Sequence, residues 1–241
     1  MEMTTKPRNF TSRVVLKEHF TARVFLLTLQ LFQPKTIAFT PGQFINVDIG
    51  NGLRRQYSIA SSSHKRDEVD LLIDIAPGGP GSIYFSNLEH DDTVSFTAPM
   101  GKFGFASQTG TIVFIAAGTG IAPFKSMIDF TAEEQARRKD YDKRNVYVYL
   151  CFRHEKDIFL EDYFEHLSEE QPNVHATIVL SQPGPTWTGR SGHVQENMDD
   201  KLFSDTTAHF YVCGGTPMVR GVVNYLRTNS VPEGHIHFEP F

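Results

Sequence analysis

The chain has 241 residues, 40% of them hydrophobic and 21% charged, with a net charge of −5. That length allows one large domain or two small ones. The acidic balance argues against nucleic acid as a partner, because a phosphate backbone selects basic surfaces. No apolar run approaches the roughly 18–20 residues of a membrane helix. Two cysteines, Cys151 and Cys213, could form one disulfide on count alone but are too few for the thiolate set of an iron–sulfur cluster. Residues 1–10 lack the apolar core of a signal peptide, so a reducing cytoplasm is expected.

From Ser12 to Thr97 the apolar segments are short, rich in β-branched and aromatic residues, and cut by turn signals. Examples are residues 24–31, 43–49, 56–60, 69–75 and 93–97. The breaks include Thr40-Pro41-Gly42, Gly50-Asn51-Gly52 and Pro77-Gly78-Gly79. This spacing predicts an antiparallel barrel or sandwich, with a short helix inserted over 82–88. After Phe105 the pattern changes. Strands are predicted over 111–116, 146–151, 174–180, 210–213 and 236–238. Helices are predicted from the glycine turn at 118–120 to about 139, over 159–167, near 194–201 and over 216–226. Alternating strands and helices imply a doubly wound, mostly parallel sheet that binds ligands beyond the carboxyl ends of its strands. The boundary is placed near 101–109, giving domains 1–104 and 105–241. The charged run 133–144 reads as a solvated helix end.

Four segments carry chemistry. In Arg55-Gln56-Tyr57-Ser58, strand alternation points Arg55 and Tyr57 the same way, which suits a ligand with a phosphate and a planar ring. In Gly78-Gly79-Pro80-Gly81-Ser82, glycines lead into a helix start that can approach a pyrophosphate, while Ser82 also reads as a simple N-cap. Gly118-Thr119-Gly120-Ile121-Ala122-Pro123 joins a strand to a helix, the context of a dinucleotide loop, with Pro123 where a third glycine would stand. Proline is sterically sound in a first helical turn. Cys213-Gly214-Gly215-Thr216-Pro217-Met218 repeats the strand–glycine–helix arrangement, so the last two loops are expected on one edge of one sheet as two sides of a cleft.

In this order the four segments resemble the ferredoxin–NAD(P)H reductase superfamily, over essentially the whole chain. The resemblance implies an antiparallel six-stranded flavin-binding barrel followed by a doubly wound parallel-sheet nucleotide-binding domain. It implies that Arg55 binds the flavin phosphate, Tyr57 packs on the isoalloxazine with Gln56 beside it, and Ser58 bonds near N5. Gly79, Gly81 and Ser82 would hold the pyrophosphate of FAD. Pro99-Met100-Gly101-Lys102-Phe103 is similar to the segment that closes the family's barrel, with Ala98 in place of its first glycine.

Gly118, Thr119, Gly120 and Pro123 would receive the pyridine nucleotide, and Cys213, Gly214 and Met218 would flank its nicotinamide. Ser58, Cys213, Glu239 and Phe241 are the implied catalytic set. Glu239-Pro240-Phe241 resembles the ending of oxygenase reductases, in which the last aromatic covers the flavin and must move for nicotinamide. Phe241 could otherwise be a frayed terminus. Arg153, Gln182 and Arg190 fall where the family reads the ribose and adenosine end. Gln182 after Ser181 favours NADH, and the nearby Arg190 keeps NADPH open.

The glycine turn is also similar to that of an FMN-using branch, but the terminal aromatic favours FAD. His235 and His237 alternate on one strand without further metal ligands, so no metal is expected, and His154 and His193 read as surface residues. The implied reaction moves hydride from nicotinamide C4 to flavin N5, then single electrons to a separate acceptor such as a ferredoxin, flavodoxin or oxygenase component. The protein is expected to be a monomer or weak dimer. Two rivals are a flavin reductase or diaphorase serving small diffusible acceptors, and a non-catalytic flavin or nucleotide sensor.

Overall fold

A computed structural model describes residues 6–105, 110–138 and 144–241. These form two compact units. The first holds the described residues up to Phe105 together with the helix Ala122–Arg137; the second holds the remainder.

In the first unit, six strands form one antiparallel sheet: β1 (Arg8–His19), β2 (Val24–Gln33), β3 (Phe44–Asp48), β4 (Arg54–Ser58), β5 (Glu68–Asp74) and β6 (Thr93–Met100). Their spatial order is β4-β3-β6-β1-β2-β5. The sheet curls far enough that Ile59, just past β4, bridges Leu71 of β5, and Ala60 N–H donates to the Asp70 carbonyl. The curl has a sequence cause. Alternate residues such as Phe25, Leu27, Leu29, Ile45, Val47, Leu71 and Ile73 are fully buried in one core, and the sheet must wrap to cover them. The long β1, which is not among the segments expected from the sequence, joins β2 and β6. It mixes charged residues with few apolar ones, so its alternation is weak.

A short helix, α1 (Pro80–Asn87), follows β5. Its N-cap is Gly79, with no side-chain cap, so Ser82 is a first-turn residue rather than the cap. Helix α2 (Ala122–Arg137) also packs in this unit. Buried Ser126 Oγ donates to the Ser61 carbonyl at 2.6 Å, and Ser62 Oγ donates to Glu133 at 2.7 Å. Thr28, Ser61 and Lys65 all bond to the buried Asp70 or its backbone, fixing the segment after β4 against β2 and β5.

The second unit is a six-stranded parallel sheet. Its strands are β7 (Ile112–Ala117), β8 (Val146–Phe152), β9 (Val174–Leu180), β10 (Arg190–Ser191), β11 (His209–Gly214) and β12 (Ile236–Pro240), in the order β10-β9-β8-β7-β11-β12. The central β7 and β11 are buried almost throughout, as strands covered on both faces must be. Helix α3 (Glu161–Glu170) begins two residues later than the pattern suggests, because Phe159 leaves the helix register to pack edge-on against Phe152.

The helix expected near 194–201 is broken into a 3-10 turn at Val194–Glu196 and the short α4 (Lys201–Ser204). Asn197 Nδ2 donates to the Ser191 and His193 carbonyls, a local bonding pattern that competes with a continuous helix. Helix α5 (Thr216–Thr228) buries Val219, Val222, Val223 and Leu226, the spacing of one helical face. No described helix is long and apolar enough to cross a membrane.

Candidate functional site

The first cluster forms where β4 meets the start of α1. Tyr57 stands opposite Ile45 and Arg55 opposite Val47 in the β3–β4 register, and paired residues share a sheet face. Tyr57 and Arg55 therefore lie on the same side, as alternation predicts, while Gln56 and Ser58 take the other. Tyr57 packs edge-on against Phe85 of α1 at 4.6 Å. Burial pushes its phenol up to about 12, with Arg55 opposing the rise, so Tyr57 stays neutral and able to donate.

Gly81 is the hinge of this cluster. A Cβ there would lie 3.0 Å from Tyr57 Oη and 3.3 Å from Arg55 Cγ. A Cβ here is accommodated only if the Tyr57 and Arg55 side chains give way by a few tenths of an ångström. The helix start, with no side-chain cap and Pro80 in its first turn, presents unpaired amide groups beside an arginine and a tyrosine. That donor set fits the phosphates and ring of a flavin dinucleotide.

The second cluster lies in the other unit, where β7 and β11 end side by side. Cys213 pairs with Ala116 in register. Gly118–Ile121 is a 3-10 turn, with Gly118 at φ +54°; Thr119 lies within it and Pro123 is the second residue of α2. A Cβ on Gly120 would sit 2.4 Å from the Cys213 carbonyl oxygen, and one on Gly214 would meet Met218 Cε at 2.7 Å and Ala117 Cβ at 2.9 Å. The two glycine loops and Met218 thus form one continuous surface. The glycines are required by close approach, and backbone amides line what remains.

The C-terminal residues complete this surface. β12 runs beside β11 and places Glu239 opposite Cys213. Phe241 N–H donates to the Gly214 carbonyl, and Thr216 N–H donates to the Phe241 carbonyl. The last residue is tied down by its backbone although the residue is 66% exposed, which is not the arrangement of a frayed end. Burial raises the pKa of Glu239. Burial first, and then Glu239, raise that of the Cys213 thiol. Cys213 is therefore a neutral thiol, unsuited to nucleophilic attack but compact enough to lie beside a planar ring.

A third group lies at the ends of β8 and β9. Gln182 N–H donates to the Arg153 carbonyl, and His154 Nδ1 lies 2.7 Å from the Gln182 carbonyl. Arg153 and Gln182 are thus adjacent and exposed, and His154 serves to join their loops. Arg190, in β10, donates to the Asn197 carbonyl and pairs with Asp199 at 3.3 Å. Asn197 and Asp199 carry no motif signal in the sequence and become partners of Arg190 only through the fold.

Cys151 and Cys213 are both free, on strands that flank β7. Burial pushes the Cys151 thiol up to about 12. His209 stacks on both His235 and His237, with His209 Nδ1 and His237 Nε2 3.0 Å apart. Among the described residues no group of three or more His, Cys, Asp or Glu is arranged to hold a metal.

Residues 11–105 match the family description of an oxidoreductase FAD-binding domain, and residues 114–224 match that of an oxidoreductase NAD-binding domain. The chain is 29% identical over 243 residues to ferredoxin–NADP reductase B of Sorangium cellulosum, covering 96% of this chain and 97% of that protein. It is 28% identical over 207 residues to the toluate 1,2-dioxygenase electron transfer component of Pseudomonas putida, covering 85% of this chain and 59% of that protein. The cytochrome P450 reductase GcoB of Amycolatopsis superposes with a TM-score of 0.88 at 26% identity, over 100% of this chain and 72% of that one. The chain thus spans about three fifths of the oxygenase-associated relative and nearly all of the Sorangium reductase. It belongs to the ferredoxin–NAD(P)H reductase superfamily and is an oxidoreductase using FAD and NAD(P)H.

Proposed function

We propose that this chain passes reducing equivalents from NADH through FAD to a separate acceptor protein, such as a ferredoxin, flavodoxin or oxygenase component. Residues 1–104 serve the flavin and residues 105–241 the pyridine nucleotide. The observation that carries this reading is the meeting of the Gly120 and Gly214 loops, with Phe241 bonded between Gly214 and Thr216. When bound, the flavin accepts a hydride and returns electrons one at a time.

The chain's residues bind and orient. Arg55, Gly79, Gly81 and Ser82 would hold the FAD phosphates, Tyr57 would border its ring from one face of β4, and Gln56 and Ser58 would serve the cofactor from the other. Gly118, Thr119, Gly120 and Pro123 form the nucleotide turn, and Cys213, Gly214 and Met218 form the nicotinamide floor. Glu239 stands opposite Cys213 on the neighbouring strand, and burial raises its pKa. Phe241 acts as a movable cover that nicotinamide must displace. Arg153 and Gln182 receive the ribose end, and Arg190 frames the adenosine loop. Its guanidinium is engaged by Asp199 and Asn197, which supports NADH over NADPH.

The relatives' description as electron transfer components supports a protein acceptor. The test is anaerobic mixing of the yellow holoprotein with NADH, followed by addition of a ferredoxin. Bleaching of the flavin, then reduction of the ferredoxin at a rate that saturates with its concentration, is expected. A flavin that does not bleach points to the sensor; fast dye reduction without any gain from a protein partner points to the diaphorase.

A further inference from the structure

Helix α1 has an unusual support. It is eight residues long, begins without a side-chain cap, and carries no acidic residue in its first turn and no basic residue in its last. Nothing in its own sequence offsets the unpaired groups at either end, and helices this short are marginal without outside contacts. The support comes from β1. Lys17 Nζ donates to the carbonyls of Phe85, Ser86 and Leu88, at 3.1, 2.8 and 2.9 Å. The same ammonium sits 4.9 Å from the centre of the Phe25 ring. All three donors of one lysine are thus directed at the carboxyl end of α1, where a cation complements the helix dipole. Burial lowers the Lys17 pKa, and Glu89 works against that shift.

The opposite end of α1 is the end that meets Arg55 and Tyr57 through Gly81. Phe85, whose carbonyl accepts from Lys17, also places its ring against Tyr57. We propose that Lys17 is a positioning residue for FAD: by holding the carboxyl end of α1, it sets the amides at the other end for the pyrophosphate. Lys17 need not touch the cofactor. This inference rests on the reading that Gly81 and Ser82 bind the pyrophosphate, and the experiment separates the two.

The full chain is stripped of flavin and titrated with FAD and, separately, with riboflavin, which has the ring but no phosphate. K17M is expected to weaken FAD on the order of tenfold, the scale of a lost charged hydrogen bond, and riboflavin by less than about twofold. K17R, which restores a cation at the carbonyls, recovers most of the loss. Equal weakening of both ligands, or unchanged FAD affinity in folded K17M, overturns the proposal. If K17M does not fold, K17Q, with one amide donor in place of the ammonium, carries the same comparison: selective loss of FAD affinity supports the proposal, and equal or absent loss overturns it. G81A tests the underlying reading. If G81A leaves FAD affinity intact, the pyrophosphate assignment fails and the Lys17 proposal with it. If G81A weakens FAD and the Lys17 variants show no selective loss, only the Lys17 proposal fails.

Discussion

The glycine turn that opens α1 and the paired glycine loops of the parallel sheet both make close approaches, but to different kinds of atoms. Gly81 meets side-chain atoms of Tyr57 and Arg55, whereas Gly120 meets the backbone of Cys213 and Gly214. The first approach can relax by rotating a side chain; the second is set by two adjacent strands that are hydrogen-bonded in register. On the proposed reading, the glycine turn beside the barrel draws its support from Lys17, elsewhere in the chain. The loops at the edge of the parallel sheet are placed by the strands that end there.

That difference can be broken by substitution. Gly120→Ala puts a methyl group 2.4 Å from the Cys213 carbonyl oxygen, and neither backbone can retreat without disturbing the sheet. A loss of more than about 3 kcal/mol is expected, read as a large fall in Tm. Gly81→Ala should cost only about 1 kcal/mol, because Tyr57 and Arg55 can shift. Equal losses in the two variants would remove the distinction.

Phe241→Ala leaves the backbone bonds to Gly214 and Thr216 in place and removes only the exposed ring, the cover in the proposed mechanism. It is expected to tighten NAD+ binding by up to roughly tenfold, since a competing closed state no longer has to be displaced, and to change turnover. Unaltered affinity and rate would take Phe241 out of the mechanism.

Asp205 probes the opposite end of the parallel sheet. It accepts from Thr111 Oγ1 at 2.6 Å and from Thr207 Oγ1 and N–H, and these bonds, Thr111 first, lower its pKa. A carboxylate lowered on folding adds stability above its unfolded pKa and loses it as pH falls through the folded value. The wild type should therefore lose stability on the acid side of the ordinary carboxylate range, and Asp205→Asn should flatten that part of the profile. With solvent nearby the effect is no more than about 1 kcal/mol. An unchanged acid slope in the variant would show that Asp205 does not contribute to it.

The smallest effect is expected at Arg190. Its pair with Asp199 is half exposed, so Arg190→Ala should cost about 0.5 kcal/mol. It should also change the NADH-to-NADPH preference by less than about twofold. A larger swing would mean that Arg190 leaves Asp199 for the nucleotide.

Strand β9 is read from the sequence to its last residue, and the apolar spacing of α5 anticipates its buried face. The site motifs were legible for a similar reason: a glycine between a strand and a helix is a local demand of the backbone. Other features were not legible. The weak alternation of β1 hides a strand whose place is set by its neighbours β2 and β6, and Asn197 breaks a helix through side-chain bonds that no periodicity records.

Periodicity set the order of barrel and parallel sheet, and the order of the four motif segments, through the resemblance it carries, implied the family and the two cofactors. Those segments are legible in the sequence because each is a short-range requirement for a turn or a close approach. Only the tertiary structure decided which distant groups support them. Lys17 lies 68 residues from the Phe85 carbonyl it holds, and Phe241 lies 25 residues from the Thr216 that anchors it. Such pairings depend on strand order and register, which arise from burying the whole core at once and are not written in any local stretch of the chain.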